Sequence, residues 1–184
     1  FTGAVVENIH QSLSQLDHKA FDQACMYLSD PARAIFITGG RVTRSLSDYL
    51  FLHLQMIRKS VHNMESRSSS WPHFILDMKE DDILIIFDIR RYENSSIKLA
   101  ELAKEQGLKV ILFTDQWRSP VSKIADITLS ARTSVPSAWD SSVVTLLLLE
   151  AIVAKSQQNH WDTTKDRIEK LEGLFDQTKF FRKF

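Results

Sequence analysis

The sequence predicts an α/β fold: a three-layer α/β/α sandwich around a parallel sheet of about four to five strands. Two observations carry this prediction. Short apolar runs, rich in branched residues, alternate along the chain with segments whose apolar residues have helical spacing. These runs are apolar along their whole length, which is typical of parallel strands covered by helices on both faces. A length of 184 residues suits one domain.

The individual elements follow from spacing and from turn residues. Strands are predicted at 34–38, 83–87, 109–114 and 126–130, with a further short one at 61–64. Helices are predicted at 4–29, 45–59, 96–107 and 163–177, and from Asp140 or Ser141 to about Lys155. Ser119 and Pro120 suit the cap and first position of another short helix, and Gly107 suits a C-terminal cap. The serine-rich segment 66–72 is predicted to be a loop.

Charge and composition argue against several classes of protein. Lysine plus arginine equals aspartate plus glutamate, 23 against 23, which argues against nucleic-acid binding by bulk charge. The single cysteine, Cys25, forms no internal disulfide, which favours a reducing, cytoplasmic location. The longest apolar run, VVTLLLLEAIVA, is interrupted by Thr145 and Glu150, so no membrane association is expected.

Three loops follow predicted strands and carry arginine and hydroxyl side chains. They read TGGRVTRS from residue 38, DIRRYENSS from residue 88 and TDQWRSP from residue 114. In open α/β sheets, ligands bind outside the carboxyl ends of the strands, near a point where the strand order reverses. We therefore expect a site for a small anion where these loops meet.

The motifs ITGGRVT, IIFDIRRY, AKEQG followed by VILFTD, and SPVSKIAD resemble a SIS domain, the sugar isomerase-type fold, over about residues 30–155. More closely, they resemble the C-terminal effector domain of RpiR-type bacterial transcriptional regulators. The resemblance implies a single SIS-like domain over 1–184, with flanking helices at 4–29 and 163–177. It also implies an N-terminal helix-turn-helix domain in the full-length protein, through which alone DNA would be contacted.

The family pattern transfers only in part to the three loops. Against the typical first loop, G-x-G-x-S, Gly39 matches the first glycine, Arg41 stands at the second and Thr43 at the serine. Against the typical second loop, S-x-S-G-x-T, residues 88–93 replace every hydroxyl and the glycine. Thr114 and Ser119 retain the third loop. The resulting candidate ligand-binding residues are Gly39, Gly40, Arg41, Thr43, Asp88, Arg90, Arg91, Glu93, Thr114 and Ser119.

Each of these residues also has an ordinary structural interpretation. Arg90 and Arg91, with Arg41, could hold phosphate or carboxylate through their planar guanidinium groups. Alternatively they could pair with Asp88, Glu93 and Asp115 and lock the loops together. Thr43 and Ser119 could donate to a ligand or cap a helix, and Asp140 is expected to be a cap. Trp117 and Trp139 could line a pocket or a partner surface.

The sequence points to binding rather than catalysis. No histidine pair has metal-ligand spacing, no nucleophilic arrangement is present and no dinucleotide fingerprint occurs, so we expect no catalytic residue, metal or cofactor. Glu93 and Glu150 are the candidate bases if the protein is an isomerase. The expected function is effector sensing and dimerisation in a transcriptional regulator that binds a sugar phosphate or a sugar acid. The alternatives are a sugar-phosphate isomerase and a ligand-free oligomerisation domain. A homodimer or tetramer is expected through the apolar helices 45–58 and 142–154.

Overall fold

A computed structural model describes residues 1–64, 67–159 and 161–179, and it contains a five-stranded parallel sheet. The strands are β1 (Ile35–Gly39), β2 (Val61–Asn63), β3 (Ile83–Phe87), β4 (Lys109–Asp115) and β5 (Ile127–Ala131). Their order in the sheet is β2-β1-β3-β4-β5, and every neighbouring pair is parallel. The predicted α/β fold with a parallel sheet is confirmed.

The strand order places the candidate loops side by side. The chain passes from β1 to one edge of the sheet through β2, and then returns to the other side of β1 through β3. The space between β1 and β3 is therefore the topological switch point. Gly39 and Phe87, the last residues of β1 and β3, are in register, and Phe87 is in register with Phe113, two residues before the end of β4. The loops after β1, β3 and β4 consequently leave the sheet at the same edge.

Helices cover both faces of the sheet. They are α1 (Thr2–Ser14), α2 (His18–Ser29), α3 (Arg44–Ile57), α4 (Trp71–Asp77), α5 (Asn94–Glu105), α6 (Val143–Asn159) and α7 (Trp161–Thr178). Side chains of α2, α3 and α6 pack on one face, on residues such as Ile37 and Ile85. Those of α4 and α5 pack on the other face, on residues such as Phe36 and Leu84. The two buried clusters make the three layers.

The predicted helix 4–29 is wrong in one respect, because it is two helices. After α1 ends at Ser14, the Asp17 carboxylate accepts a hydrogen bond from the backbone N–H of Ala20 (3.1 Å) and starts α2 afresh. An aspartate at this position satisfies a free N–H at the start of a helix, and that competes with a continuous helix. The spacing of the apolar residues alone does not predict the break between α1 and α2.

The predicted loop 66–72 is also wrong over most of its length. Ser68–Ser70 forms a short 3-10 helix, and α4 begins at Trp71 with Pro72 in its first turn, where proline is tolerated. The Trp71 side chain is buried against the sheet, and this packing stabilises a helix of only seven residues. Ser66 lies outside the described residues.

The predicted end of α5 at Gly107 is confirmed. Gly107 has a positive φ of 82°, and its N–H donates to Lys104 O while that of Leu108 donates to Ala103 O. This is the Schellman pattern, which ends α5 where the glycine predicts. Within the described residues, no helix has the length and apolar character needed to cross a bilayer.

Candidate functional site

The first exit loop, residues 40–43 after β1, is drawn tightly against the start of α3. A Cβ at Gly39 would lie 2.7 Å from the backbone oxygen of Thr43, so only glycine allows this approach. The Thr43 hydroxyl accepts from the Gly40 N–H (2.8 Å) and donates to Phe87 O (3.1 Å). It therefore joins the first exit loop to the end of β3. It is not the helix cap considered from the sequence, because it makes no capping bond to α3.

The second exit loop, residues 88–93 after β3, begins with a buried carboxylate. Asp88 is 3% exposed, and its oxygens accept from the Glu93 N–H (3.2 Å) and from the Ser119 hydroxyl. Burial raises the pKa of Asp88, because it disfavours the charged form, although both hydrogen bonds oppose that shift. Asp88 is thus a member of the internal network of the site.

The third exit loop, residues 116–119 after β4, is tied to the second by two hydroxyl groups. Thr114 donates to Asp88 O (2.8 Å) and accepts from the Ser119 N–H (2.9 Å). The Ser119 hydroxyl accepts from the Val121 N–H (3.2 Å), which confirms the predicted cap of the short 3-10 helix Pro120–Lys123. Both side chains are completely buried.

Asp115 organises the same two loops from the end of β4. It is fully buried, and one carboxylate oxygen accepts from the Arg90 N–H (2.9 Å). The other accepts from the Tyr92 hydroxyl (2.6 Å) and from the Trp117 N–H (2.9 Å). Burial, followed by this hydrogen bond to Asp115, raises the pKa of Tyr92 and keeps the phenol protonated as a donor.

Arg90 extends away from the carboxylates expected to pair with it. Its Nε donates to one oxygen of Asp140 (2.9 Å), while a terminal nitrogen contacts the other, giving a two-point ion pair. The guanidinium carbon lies 4.3 Å from the centre of the Trp117 ring, within cation–π range. The predicted pairing with Asp88, Glu93 or Asp115 is therefore wrong for this side chain. Asp140 is an ion-pair partner, and Ser141 accepts from the Val143 N–H (3.4 Å) at the start of α6.

Arg41 and Arg91 have different surroundings. Both side chains are exposed, and neither makes an ion pair or hydrogen bond with any part of the chain that the structure describes. Arg91 follows Arg90 through a cis peptide bond. These two guanidinium groups, one on each side of the switch point, are free to bind an anion.

Glu93, the last residue of the second exit loop, places its carboxylate against the first exit loop. Its Oε2 accepts from the Ser95 hydroxyl (3.2 Å), and its Oε1 lies only 2.6 Å from the position a Cβ would take on Gly40. Gly40 therefore leaves room for this carboxylate. Glu93 precedes α5 and makes no side-chain capping bond to it.

The arrangement favours anion binding by guanidinium groups rather than by hydroxyls. The single protons of Thr43, Thr114 and Ser119 are all donated within the protein. These three hydroxyl groups therefore join the loops to one another and have no proton left to donate to a phosphate. Arg41 and Arg91 are among the described side chains that still offer open donors at this edge.

Two grooves lie at the opposite, amino-terminal edge of the sheet. One, of about 700 Å³, is bordered by Leu28, Arg58 and Ser156 and by α7. The other, of about 380 Å³, is bordered by Ala34, His62 and Asp82. Among the residues that the structure describes, no group of three or more histidine, cysteine or acidic side chains is placed to hold a metal ion.

The sequence did not identify Tyr92 or Asp140 as parts of the site. Tyr92 stood inside a quoted motif, but its hydroxyl partner, Asp115, is 23 residues away. Asp140 is 50 residues from Arg90, on a loop that no local pattern assigns to the sheet edge. Only the two-point geometry of the ion pair reveals the connection.

A family model for the SIS domain matches residues 28–155. The chain belongs to the SIS domain family. Solved SIS structures share this fold. The sugar isomerase domain of an RpiR transcription factor from Sphaerobacter thermophilus is 20% identical, with a TM-score of 0.81, and the match covers 91% of this chain and 93% of that one. No curated protein sequence matches the chain.

Two further solved structures carry the same fold in proteins of different function. The Vibrio vulnificus NanR protein, complexed with ManNAc-6P, is 18% identical over 95% of this chain and 67% of that one, with a TM-score of 0.80. A phosphoheptose isomerase from Francisella tularensis is 15% identical over 85% of this chain and 94% of that one, with a TM-score of 0.67. SIS domains therefore occur in regulators and in isomerases, and the loops must be used to distinguish between them.

Proposed function

We propose that this SIS domain is the effector-sensing and dimerisation domain of a transcriptional regulator. Its ligand is a small anion such as a sugar phosphate or a sugar acid. The observation that carries the proposal is the pair of exposed, unpaired guanidinium groups of Arg41 and Arg91 at the switch point. The likeness to an RpiR transcription factor and to NanR with its bound ManNAc-6P supports it.

The charges at this edge favour an anion held at the rim of the site. Asp88 and Asp115 are buried, and both accept hydrogen bonds from the protein, so they are not open to a ligand. Arginine binds phosphate and carboxylate in the same two-point manner, so both ligand classes fit the rim. Because Arg90 is held by Asp140, the main ligand contacts belong to Arg41 and Arg91.

In the proposed regulator, DNA binding belongs to an N-terminal helix-turn-helix domain, and the protein acts in the cytoplasm. The SIS domains pair and set the spacing of the DNA-binding domains. A ligand alters DNA affinity only to the extent that it binds one arrangement of the dimer more tightly than another.

Calorimetric titration with a panel of phosphorylated sugars and sugar acids tests the proposal. For a ligand that binds the wild-type chain, Arg41→Ala and Arg91→Ala should each weaken affinity by about tenfold or more, since a hydrogen bond to a charged group contributes about 1.5–3 kcal/mol. Lys59→Ala is the charge-matched control, because Lys59 is exposed at the opposite edge.

The proposal fails if no anion in the panel binds. Failure would favour the ligand-free oligomerisation domain, in which contacts such as Arg90 with Asp140 close the site. Binding that Arg41→Ala and Arg91→Ala leave unchanged would mean that the ligand sits elsewhere.

A sugar-phosphate isomerase is the second candidate, favoured by the likeness to the phosphoheptose isomerase. It needs a base that moves a proton between neighbouring carbons. Glu150, one candidate, accepts a hydrogen bond from the Tyr49 hydroxyl (3.0 Å) on the surface between α3 and α6. Glu93, the other, lies at the site itself. Conversion of an aldose phosphate to a ketose, followed by NMR and lost in Glu93→Gln or Glu150→Gln, would favour the enzyme.

A further inference from the structure

We propose that the Glu93 carboxylate is an internal occupant of the anion site, which a ligand must displace in order to bind. The inference rests on the proposed function, because it concerns the same site between the first and second exit loops.

The carboxylate lies where a small anion would meet both loops. Its Oε1 fills the space beside Gly40, and its Oε2 accepts the proton of Ser95 at the start of α5. The carboxylate therefore occupies the space left by the missing side chain of Gly40 and accepts a hydrogen bond from Ser95, and both features would also suit a bound anion. The first exit loop reaches it through Gly40, whose own N–H is held by Thr43.

The carboxylate is held loosely enough to leave. Within the described part of the chain, the Glu93 carboxylate accepts a hydrogen bond only from Ser95, at 3.2 Å, and the side chain is half-buried. By contrast, the backbone of Glu93 is fixed, because its N–H donates to the buried Asp88. Rotation about the side-chain bonds of Glu93 can therefore empty the site without moving the loop.

The charge of Glu93 also opposes a second anion. Two like charges a few ångströms apart at a protein surface repel strongly, and loss of one lowers that cost. Arg41 and Arg91 attract the ligand to the rim, while Glu93 repels it from the interior. Glu93 therefore lowers the apparent affinity of the site for an anion, as an internal competitor does.

Titration of inorganic phosphate into the folded chain tests this inference. Glu93→Ala removes both the charge and the volume, and should bind phosphate at least about tenfold more tightly than wild type. Glu93→Gln keeps the size of the side chain and should shift affinity in the same direction. Glu101→Ala is the matched control, since Glu101 is exposed on α5, about two turns beyond Glu93, and its loss changes net charge equally.

The results separate this inference from the proposed function. If both Glu93 variants bind phosphate no more tightly than Glu101→Ala, the inference is overturned, while sugar-phosphate binding by wild type that Arg91→Ala abolishes would still support the sensing function. If Glu93→Ala gains phosphate affinity but wild type binds nothing in the panel, the inference stands and the sensing function fails. If phosphate binds to none of these proteins, the inference is overturned, and the panel of sugar phosphates and sugar acids still decides the sensing function.

Discussion

At the residue scale, Asp88 places a buried carboxyl group where two of the exit loops meet. It follows an apolar strand directly and is buried, yet it carries a titratable carboxyl. Its oxygens accept from Ser119 and Glu93, and its backbone oxygen accepts from Thr114. Asp88 therefore joins β3 to the third exit loop. Because its carboxyl group can ionise, the stability of this connection depends on pH.

Asp88→Asn should change how stability depends on pH. The pKa of Asp88 is raised in the folded chain, so folding favours the protonated acid. That contribution is fully present below the ordinary aspartate pKa and is lost as pH rises through the raised one. Denaturant unfolding over a pH series should show this loss in wild type and a flatter profile in Asp88→Asn. Identical slopes in the two proteins would contradict the role given to burial.

The sequence predicted which residues lie at the sheet edge, because their position relative to the strands determines it. It did not predict their hydrogen-bond partners, which are distant in the sequence. Gly39, Thr43, Thr114 and Ser119 lie together at the sheet edge, as their places after the strands predict. The partner of each hydroxyl was not predictable. Thr43 bonds to the strand 44 residues later, and Ser119 to a carboxylate 31 residues earlier. Such contacts depend on strand order, which the apolar pattern does not specify.

At the element scale, α6 shows why an almost uniformly apolar helix need not be an interface. It lies between other helices and the sheet, with Val144 and Leu148 in one buried cluster and Leu149 and Ile152 in another. Its all-round apolar character therefore follows from packing on several sides. This burial leaves the hydroxyl of Thr145 without a hydrogen-bond partner among the described residues.

Two isosteric substitutions on different elements should have opposite effects. Thr145→Val removes an unpaired buried hydroxyl from α6 and should raise the free energy of unfolding by about 1 kcal/mol. Thr114→Val on β4 leaves Asp88 O and the Ser119 N–H unpaired, and should lower it by about 2–3 kcal/mol. Denaturant unfolding of both variants measures the difference. Equal losses of stability would show that the pairing of these hydroxyls is unimportant.

The prediction of elements succeeded best for buried strands. All five were placed to within one or two residues, because an apolar run between helical segments has few other interpretations. The short helix α4 was missed, since its serine-rich approach is typical of a loop and its stability comes from Trp71 packing on the sheet. That contact is tertiary and lies outside any local pattern.

At the scale of the whole molecule, one face of α3 remains apolar and open. Leu52 is 54% exposed and Met56 41% exposed, one turn apart on the same side of the helix. The sequence predicts that the apolar helix 45–58 takes part in an oligomer interface, and these exposed side chains lie on that helix. A second copy of the chain is the proposed cover.

Leu52→Asp should therefore shift the chain from dimer to monomer. A charge placed in an apolar interface loses its hydration without gaining a partner. Light scattering at micromolar concentration measures the mass, and Leu76→Asp is the control, since Leu76 is 83% exposed on α4, on the other face of the sheet. A wild-type protein that is already monomeric, or a dimer unaffected by Leu52→Asp, would contradict this interface.

The hydroxyl links between the strand exits have a kinetic consequence. Thr43 connects the first exit loop to β3, and Thr114 with Ser119 connects β3 to the third exit loop. None of the three exit loops opens without breaking a bond to its neighbour. The amide protons of Gly40, Glu93 and Ser119 should accordingly exchange with solvent deuterium at similar rates, as one cooperative unit, and Thr114→Val should accelerate all three together.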